Sequence, residues 1–361
     1  MAMIRNVILT LELNSFLMRA VRLLACQYQG WARCSTSIAF IFIFLTTASI
    51  GRYSHAANVL DIPDQLKTSV EAIRQGKYAQ VISSATELQN QFADQPLSSL
   101  VVAEAYWGLI YCETAHITPR EVWHVAQHGS SSYDKQFAES IQRALISSEN
   151  MNRNGENAAV GALYKGLSHG IQARLFTFRG DRLKSATEGK KMRAELLEAV
   201  EEDSSLMPEA SFGLGAYNYY ADILSPMLKL VRFFLGIPAG DRSKGLEQLR
   251  TASQHSILVA VEAQYELAHI YSIQENYLIV SLAMLKELSD KYPSNALYAL
   301  ATAIQAGRSG QDSLGLEYAS RAAETALATG GACGDRLSAI ALQTEKHLNQ
   351  KIKNSIGNLK K

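Results

Sequence analysis

Apolar positions along most of this chain recur three and four residues apart, and alternating β-branched runs are scarce. That spacing predicts amphipathic helices and an almost entirely helical protein. From residue 60 onward the helical runs come in pairs joined by short polar turns. The first pair is expected at 64–75 and 79–90, linked by Gly76-Lys77-Tyr78 and closed by Pro96. A helix at 97–112 follows, then an irregular stretch at 113–133 with Pro119, Gly129 and three serines, then a helix at 134–151. Runs at 157–178 and 183–202 turn at Gly180-Asp181-Arg182, and Pro208 opens the next unit. Further helices are expected at 243–253, 258–274, 277–292, 294–307 and 313–327, with a terminal helix at 336–353. Proline and glycine punctuate the units, because neither continues a helix well.

Within this pattern one motif repeats. Its clearest copies are Ala105-Tyr106-Trp107-Gly108-Leu109-Ile110-Tyr111, Gly213-Leu214-Gly215-Ala216-Tyr217-Asn218-Tyr219-Tyr220 and Glu266-Leu267-Ala268-His269-Ile270-Tyr271. Each lies on the first helix of a pair. The small residue admits a neighbouring helix closely, and the aromatic covers the groove one turn on. Such a unit cannot bury its apolar face alone, so several must stack. The expected fold class is an all-α superhelix of stacked helix pairs over 58–330, with 331–361 as a capping helix and basic tail.

These residues resemble the tetratricopeptide-repeat superfamily over about 60–330, although the units depart from a 34-residue period. The stretch from Gly213 to Asn295 is similar to a set of exported bacterial repeat proteins. It combines Gly-x-Tyr-x-Tyr-Tyr, an apolar segment, Gly-Ile-Pro-x-Gly-Asp-Arg, Gly-Leu-x-x-Leu and Tyr-Pro-x-Asn. Gly240–Leu246 also resembles, more faintly, helical-repeat proteins associated with the mitochondrial outer membrane. The resemblance implies a binding scaffold and carries no catalytic residues across. A stack of this kind presents a concave face made by first helices. The candidate contact residues there are Tyr106, Tyr164, Tyr217, Tyr220, Tyr265, Tyr271 and Tyr298, since tyrosine offers a large rigid surface with a polar tip. Each can equally serve packing between repeats.

The segment 223–238 interrupts the pattern. It is apolar over most of a helical circumference, contains Lys229, Arg232, Phe233 and Phe234, and is bounded by Pro226 and Pro238. It is too short to span a bilayer. One reading orders it as a plug over the concave groove beside Tyr217 and Tyr220; the other exposes a face to a partner helix or a membrane surface.

The amino-terminal 56 residues read as an address. Arg19, Arg22 and Arg33 precede an apolar run at 38–50, and Ser54-His55-Ala56 follows it, in the order of a secretory signal. Cleavage near Ala56 and a retained anchor over 35–51 are both compatible with the run. Arg52 suits the anchor, and Leu23-Leu24-Ala25-Cys26 resembles a lipoprotein box. The expectation is export to the periplasm or cell envelope.

Composition narrows the function classes. The chain has 361 residues, 47% of them hydrophobic, and a formal charge of +1. A core is affordable and nucleic acid is not the expected partner, because no basic face stands out. The lysines after Glu345 form a solvated tail or a weak contact with anionic lipid. Export would leave Cys112 and Cys333. In an extended solenoid they stand far apart, so no disulfide is expected between them. His124 and His128 sit at chelating spacing, with Glu113 and Glu121 nearby, but the zincin glutamate is missing. They support a metal-dependent hydrolase only as an alternative; no metal and no cofactor is expected. Gly-Asp-Arg occurs at 180, 240 and 334, and predicts helix caps at Asp181 and Asp241, with Arg182 and Arg242 as turn residues that could reach a neighbouring acid.

Overall fold

A computed structural model describes residues 60–359 apart from 124–128, 154–156 and 235. The expected signal or anchor therefore lies outside the described residues, as do His124 and His128. The described chain is all-helical, with one isolated bridge, Thr118 to Glu121, and no strand.

Fifteen α-helices are described: α1 Asp64–Arg74, α2 Tyr78–Ser83, α3 Ala85–Gln91, α4 Pro96–Thr114, α5 Asp134–Arg153, α6 Ala158–Phe178, α7 Arg182–Glu202, α8 Met207–Asp222, α9 Pro226–Phe234, α10 Arg242–His255, α11 Ala260–Ile273, α12 Leu278–Lys291, α13 Ala296–Arg308, α14 Asp312–Thr329 and α15 Gly331–Leu359. From α4 onward each helix packs chiefly on its neighbours in sequence, with α9 standing aside. That is the organisation of a helical repeat.

Local chemistry explains many boundaries. Pro96 and Pro208 sit in first turns, where a missing amide costs nothing. Asp181 and Asp241 accept from the amides of Lys184 and Lys244 at 3.2 and 3.0 Å, as their position after glycine predicts. Asn295 caps α13 by accepting from Leu297. The third Gly-Asp-Arg differs. Gly334 falls inside α15, so Asp335 caps nothing. Arg336 instead donates to the carbonyls of Cys112 and Ala115 at the end of α4, where a cation offsets the helix dipole. The expected helix at 79–90 is split at Ser84. The hydroxyls of Ser83 and Ser84 bond back to Gln80 and Val81 carbonyls, competing with the helical ladder.

The expectation of an extended stack, with Cys112 and Cys333 apart, is overturned. The two form a disulfide with Cα atoms 5.4 Å apart. The reason is that the last helices return to the first. α15 packs on α4. Ser294 Oγ and Asn295 Nδ2 donate to the carbonyls of Gln75 and Arg74, both at 3.0 Å. Arg74 donates to the carbonyls of Ile257 and Leu258 at 2.8 and 3.1 Å. The same loop is held from its other side by the buried Glu209 carboxylate. Glu209 accepts from Ser256 Oγ, Ile257 N and Leu258 N at 2.5, 2.6 and 3.1 Å. One apolar core accordingly joins Ala103, Ile110 and Cys112 to Leu300, Ile304, Leu337 and Ile340.

Candidate functional site

The return of the chain on itself brings one face of α11 opposite α4. Glu262, Tyr265, Glu266 and His269 fall at i, i+3, i+4 and i+7, so they share that face. Glu104, Trp107 and Tyr111 share a face of α4 by the same spacing. Arg174 of α6, Tyr220 of α8, Tyr298 of α13, Tyr78 of α2 and Trp123 of the loop after α4 are joined to these two faces by ring contacts, hydrogen bonds or charge effects. Gly108 makes room on α4 for Tyr78: a Cβ there would stand 2.5 Å from the tyrosine ring.

The rings touch in series. Trp123 lies 5.9 Å from Tyr265 and stacks at 5.2 Å on His269, while Tyr265 lies 5.7 Å from Tyr298. Arg174 sits over Trp107 at 4.7 Å and pairs with Glu104. Tyr220 donates to Glu266, and His269 Nδ1 stands 3.5 Å from the same carboxylate. These groups keep some accessible surface; the Glu104 and Arg174 side chains are 21% and 28% exposed, and those of Glu266 and His269 25% and 23%. Protein surrounds the neighbouring tyrosines closely enough to change their chemistry. Burial pushes the Tyr220, Tyr265 and Tyr298 hydroxyls well above the ordinary tyrosine value, and Tyr78 to about 12. Burial raises Glu262, against the pull of Arg74. For Glu266 burial also acts upward, but hydrogen bonds from His269 and Tyr220 outweigh it and hold the group low. Partial exposure within such an environment marks side chains that line a recess. Its tyrosine hydroxyls stay protonated, and its carboxylates supply acceptors.

Of the seven tyrosines singled out in the sequence, Tyr220, Tyr265 and Tyr298 line this recess. Tyr164 is buried between helices in a second apolar core with Leu163 and Leu196. Tyr217 is buried and donates to the Pro238 carbonyl at 2.8 Å. Tyr271 accepts from the Arg250 guanidinium at 2.8 Å. Tyr106 lies against Tyr133 at 6.1 Å. Arg242 pairs with Glu275, which also accepts from Tyr219 at 2.5 Å, so this turn arginine does reach a neighbouring acid. Arg182 is exposed. Sequence reasoning missed Glu262, Glu266, His269, Trp107, Trp123 and Arg174. The spacing of the four α11 residues is in the sequence, but only Tyr265 was singled out, because nothing in the local pattern shows which helix this face meets.

The plug reading of 223–238 is corrected. Tyr217 does reach Pro238, and Arg232 donates to the Ala221 carbonyl at 2.7 Å, so both flanks are tied down. The apolar face between them points outward. Met227 is 78% exposed, Phe233 74% and Phe234 77%. The two phenylalanine rings stack edge-on at 5.8 Å.

Glu113, considered for a metal, accepts instead from Ser131 and Ser132. Among the described residues no three histidine, cysteine or acidic side chains gather as metal ligands. No family model matches the chain, and no curated protein matches it significantly.

Proposed function

We propose that this chain is a non-catalytic, tetratricopeptide-like scaffold of the bacterial cell envelope, whose inner face binds a protein or peptide partner. The observation that carries the reading is the recess between α4, α11 and α13. It is lined by residues of successive first helices, rich in tyrosine and tryptophan, and partly open. Aromatic anchors with fixed polar tips are the groups that dominate peptide recognition. The disulfide supports an oxidising compartment. The order of charged, apolar and small residues before position 57 supports export. The test is capture of partners from envelope extract by the full chain and by Tyr220→Ala/Tyr265→Ala. A partner retained equally by the double variant does not bind this recess.

A second reading rests on α9. An amphipathic helix with its phenylalanines outward is suited to a bilayer interface; its two cations are already engaged, Arg232 by the Ala221 carbonyl and Lys229 by Asp222 at 3.7 Å. Among the described residues no helix is long and apolar enough to cross a membrane. On this reading α9 lies at the surface and supplies membrane association to the same scaffold.

A further inference from the structure

An open cleft of about 430 Å³ lies where the carboxyl ends of α11 and α13, one face of α15 and the turn at 118–121 come together. It shares no side chain with the recess, and its volume is within the range of small-molecule sites. Ile304, Gly307 and Arg308 share a face of α13 by helical spacing, and His347, Leu348 and Lys351 share a face of α15. The two faces approach closely because Gly307 has no side chain: a Cβ there would stand 2.6 Å from Leu348 Cδ2. Ile304 and Leu348 are buried, and with half-buried Ile273 and Pro119 they supply the apolar lining.

The charged lining is mostly cationic. Arg120 stands at the tip of a turn that Thr118 and Glu121 close with two backbone hydrogen bonds, at 2.9 and 3.1 Å. Its guanidinium is exposed and has no hydrogen-bond or ion-pair partner among the described residues. The half-buried Arg308 guanidinium makes a single hydrogen bond, from Nη2 to the Ser272 carbonyl at 3.3 Å, which is long for its kind. Lys351 Nζ donates to the Gly307 carbonyl and to Asp312, both at 2.7 Å. It thereby covers a carbonyl at the end of α13 that would otherwise repel an anion. Against these three cations stand Glu121, which has a partner of its own, and Asp312 beside Lys351. One positive charge is left in excess, and the donors still free are those of the two arginines.

A guanidinium fork matches the two oxygens of a carboxylate. One excess positive charge is balanced by a monoanion, and a phosphate dianion would overshoot it. Buried isoleucine and leucine beside the cations match an apolar group on the same molecule. We propose that this cleft binds an organic carboxylate carrying an apolar group, with Arg120 and Arg308 on the carboxylate and Ile304 and Leu348 against the apolar part. The source is a free acid or the carboxyl terminus of a polypeptide, which present the same chemistry to the cleft. The proposal does not rest on the inner-face reading above.

The full chain is titrated calorimetrically with hexanoate, hexanamide and acetate, and with N-acetyl-Ala-Ala-Leu bearing a free or an amidated carboxyl terminus. Saturable binding of hexanoate or of the free-acid peptide is expected, with no binding of either amide. Binding of hexanoate alone assigns a free acid as the ligand, and binding of the peptide acid assigns a chain terminus. Acetate, shorter by four CH₂ groups, is expected to bind about tenfold or more weakly than hexanoate, as the burial of two of them would give. Arg120→Ala is expected to weaken the acids by about tenfold, the usual worth of a hydrogen bond between charged groups, and Arg120→Ala/Arg308→Ala to abolish their binding. The single variant removes an exposed side chain with no partner, so it is expected to fold as the wild type does, and circular dichroism checks both variants. Amides that bind as tightly as the acids overturn the proposal, as does acid binding unchanged by Arg120→Ala and by the double variant. Acetate binding as tight as hexanoate overturns the apolar half of it. Failure of every acid to bind overturns it outright and leaves the partner-capture experiment on the recess unaffected.

Discussion

Gly215 and Gly245 show how much a single missing side chain decides here. A Cβ on Gly215 would lie 2.9 Å from the Gly245 carbonyl and from Leu249, and one on Gly245 would lie 2.6 Å from the Tyr219 amide. The backbones of α8 and α10 are therefore in contact, and the repeated small residue in the sequence was a reliable sign of it. Gly215→Leu is expected to destabilise by about 1–3 kcal/mol through overpacking, read from denaturant midpoints. Wild-type stability would mean that this crossing can open without cost. A second residue-scale test concerns Asp290. It accepts from Lys286 Nζ at 2.7 Å, Tyr318 Oη at 2.8 Å and Arg321 Nη1 at 2.9 Å, tying α12 to α14. Burial acts to raise its pKa, but the three hydrogen bonds prevail and hold it at about 2, below the ordinary 3.8. A carboxylate depressed in the folded state stabilises fully above its unfolded pKa, and that contribution is lost as pH falls through the folded value. The window is therefore about pH 4 to 2. Asp290→Asn is expected to flatten the acid limb of stability in that window, as followed by circular dichroism. The carboxylate is 44% exposed, so the effect is modest.

At the scale of elements, the helical spacing predicted where almost every helix lies. It did so because most helices have a buried apolar stripe and a proline, glycine or capping side chain near an end. It failed where tertiary context decides, as at Ser84 and Gly334. The inner face was legible only in part. Tyr220 falls in a copy of the repeat motif, and Tyr265 and Tyr298 were singled out as tyrosines of first helices. Glu262, Glu266 and Arg174 do not, because a charge on a helix looks solvated until the opposing helix is known. The segment 223–238 was legible as a short helix apolar over most of its circumference but not in its orientation, since composition cannot say which side of a short helix meets the core. Its outward face turns one expectation around. Phe233→Ser/Phe234→Ser is expected to leave stability within about 0.5 kcal/mol, as for exposed positions generally. The same change is expected to abolish flotation of the full chain with vesicles of phosphatidylglycerol and phosphatidylethanolamine, if α9 and not the amino-terminal segment provides the contact. Flotation unchanged by the substitutions removes α9 as the membrane contact, and a loss of several kcal/mol would restore the plug.

For residues 60–359 as a whole, the decisive fact is that the first helices meet the last. No local pattern encodes this, and it brought Cys112 to Cys333 where an extended stack would have kept them apart. The contact is held in three ways: by the disulfide, by Arg336 on the end of α4, and by Arg74 and Glu209 on either side of the loop before α11. The sequence separation of the cysteines is 221 residues. A cross-link that distant removes much chain entropy from the unfolded state, so Cys112→Ser/Cys333→Ser is expected to cost about 2–5 kcal/mol in denaturant unfolding. Native helical content should survive, because the arginine and glutamate contacts remain. A reductant should lower the wild type toward the double variant and leave the variant unchanged. The recess depends on the same closure, since α4 and α11 face each other only when the first and last described helices meet. Quenching of Trp107 and Trp123 fluorescence by acrylamide is therefore expected to rise in the double variant well below its unfolding midpoint. If accessibility and stability are both unaffected, the side-chain contacts alone close the fold and the disulfide is a consequence of that closure.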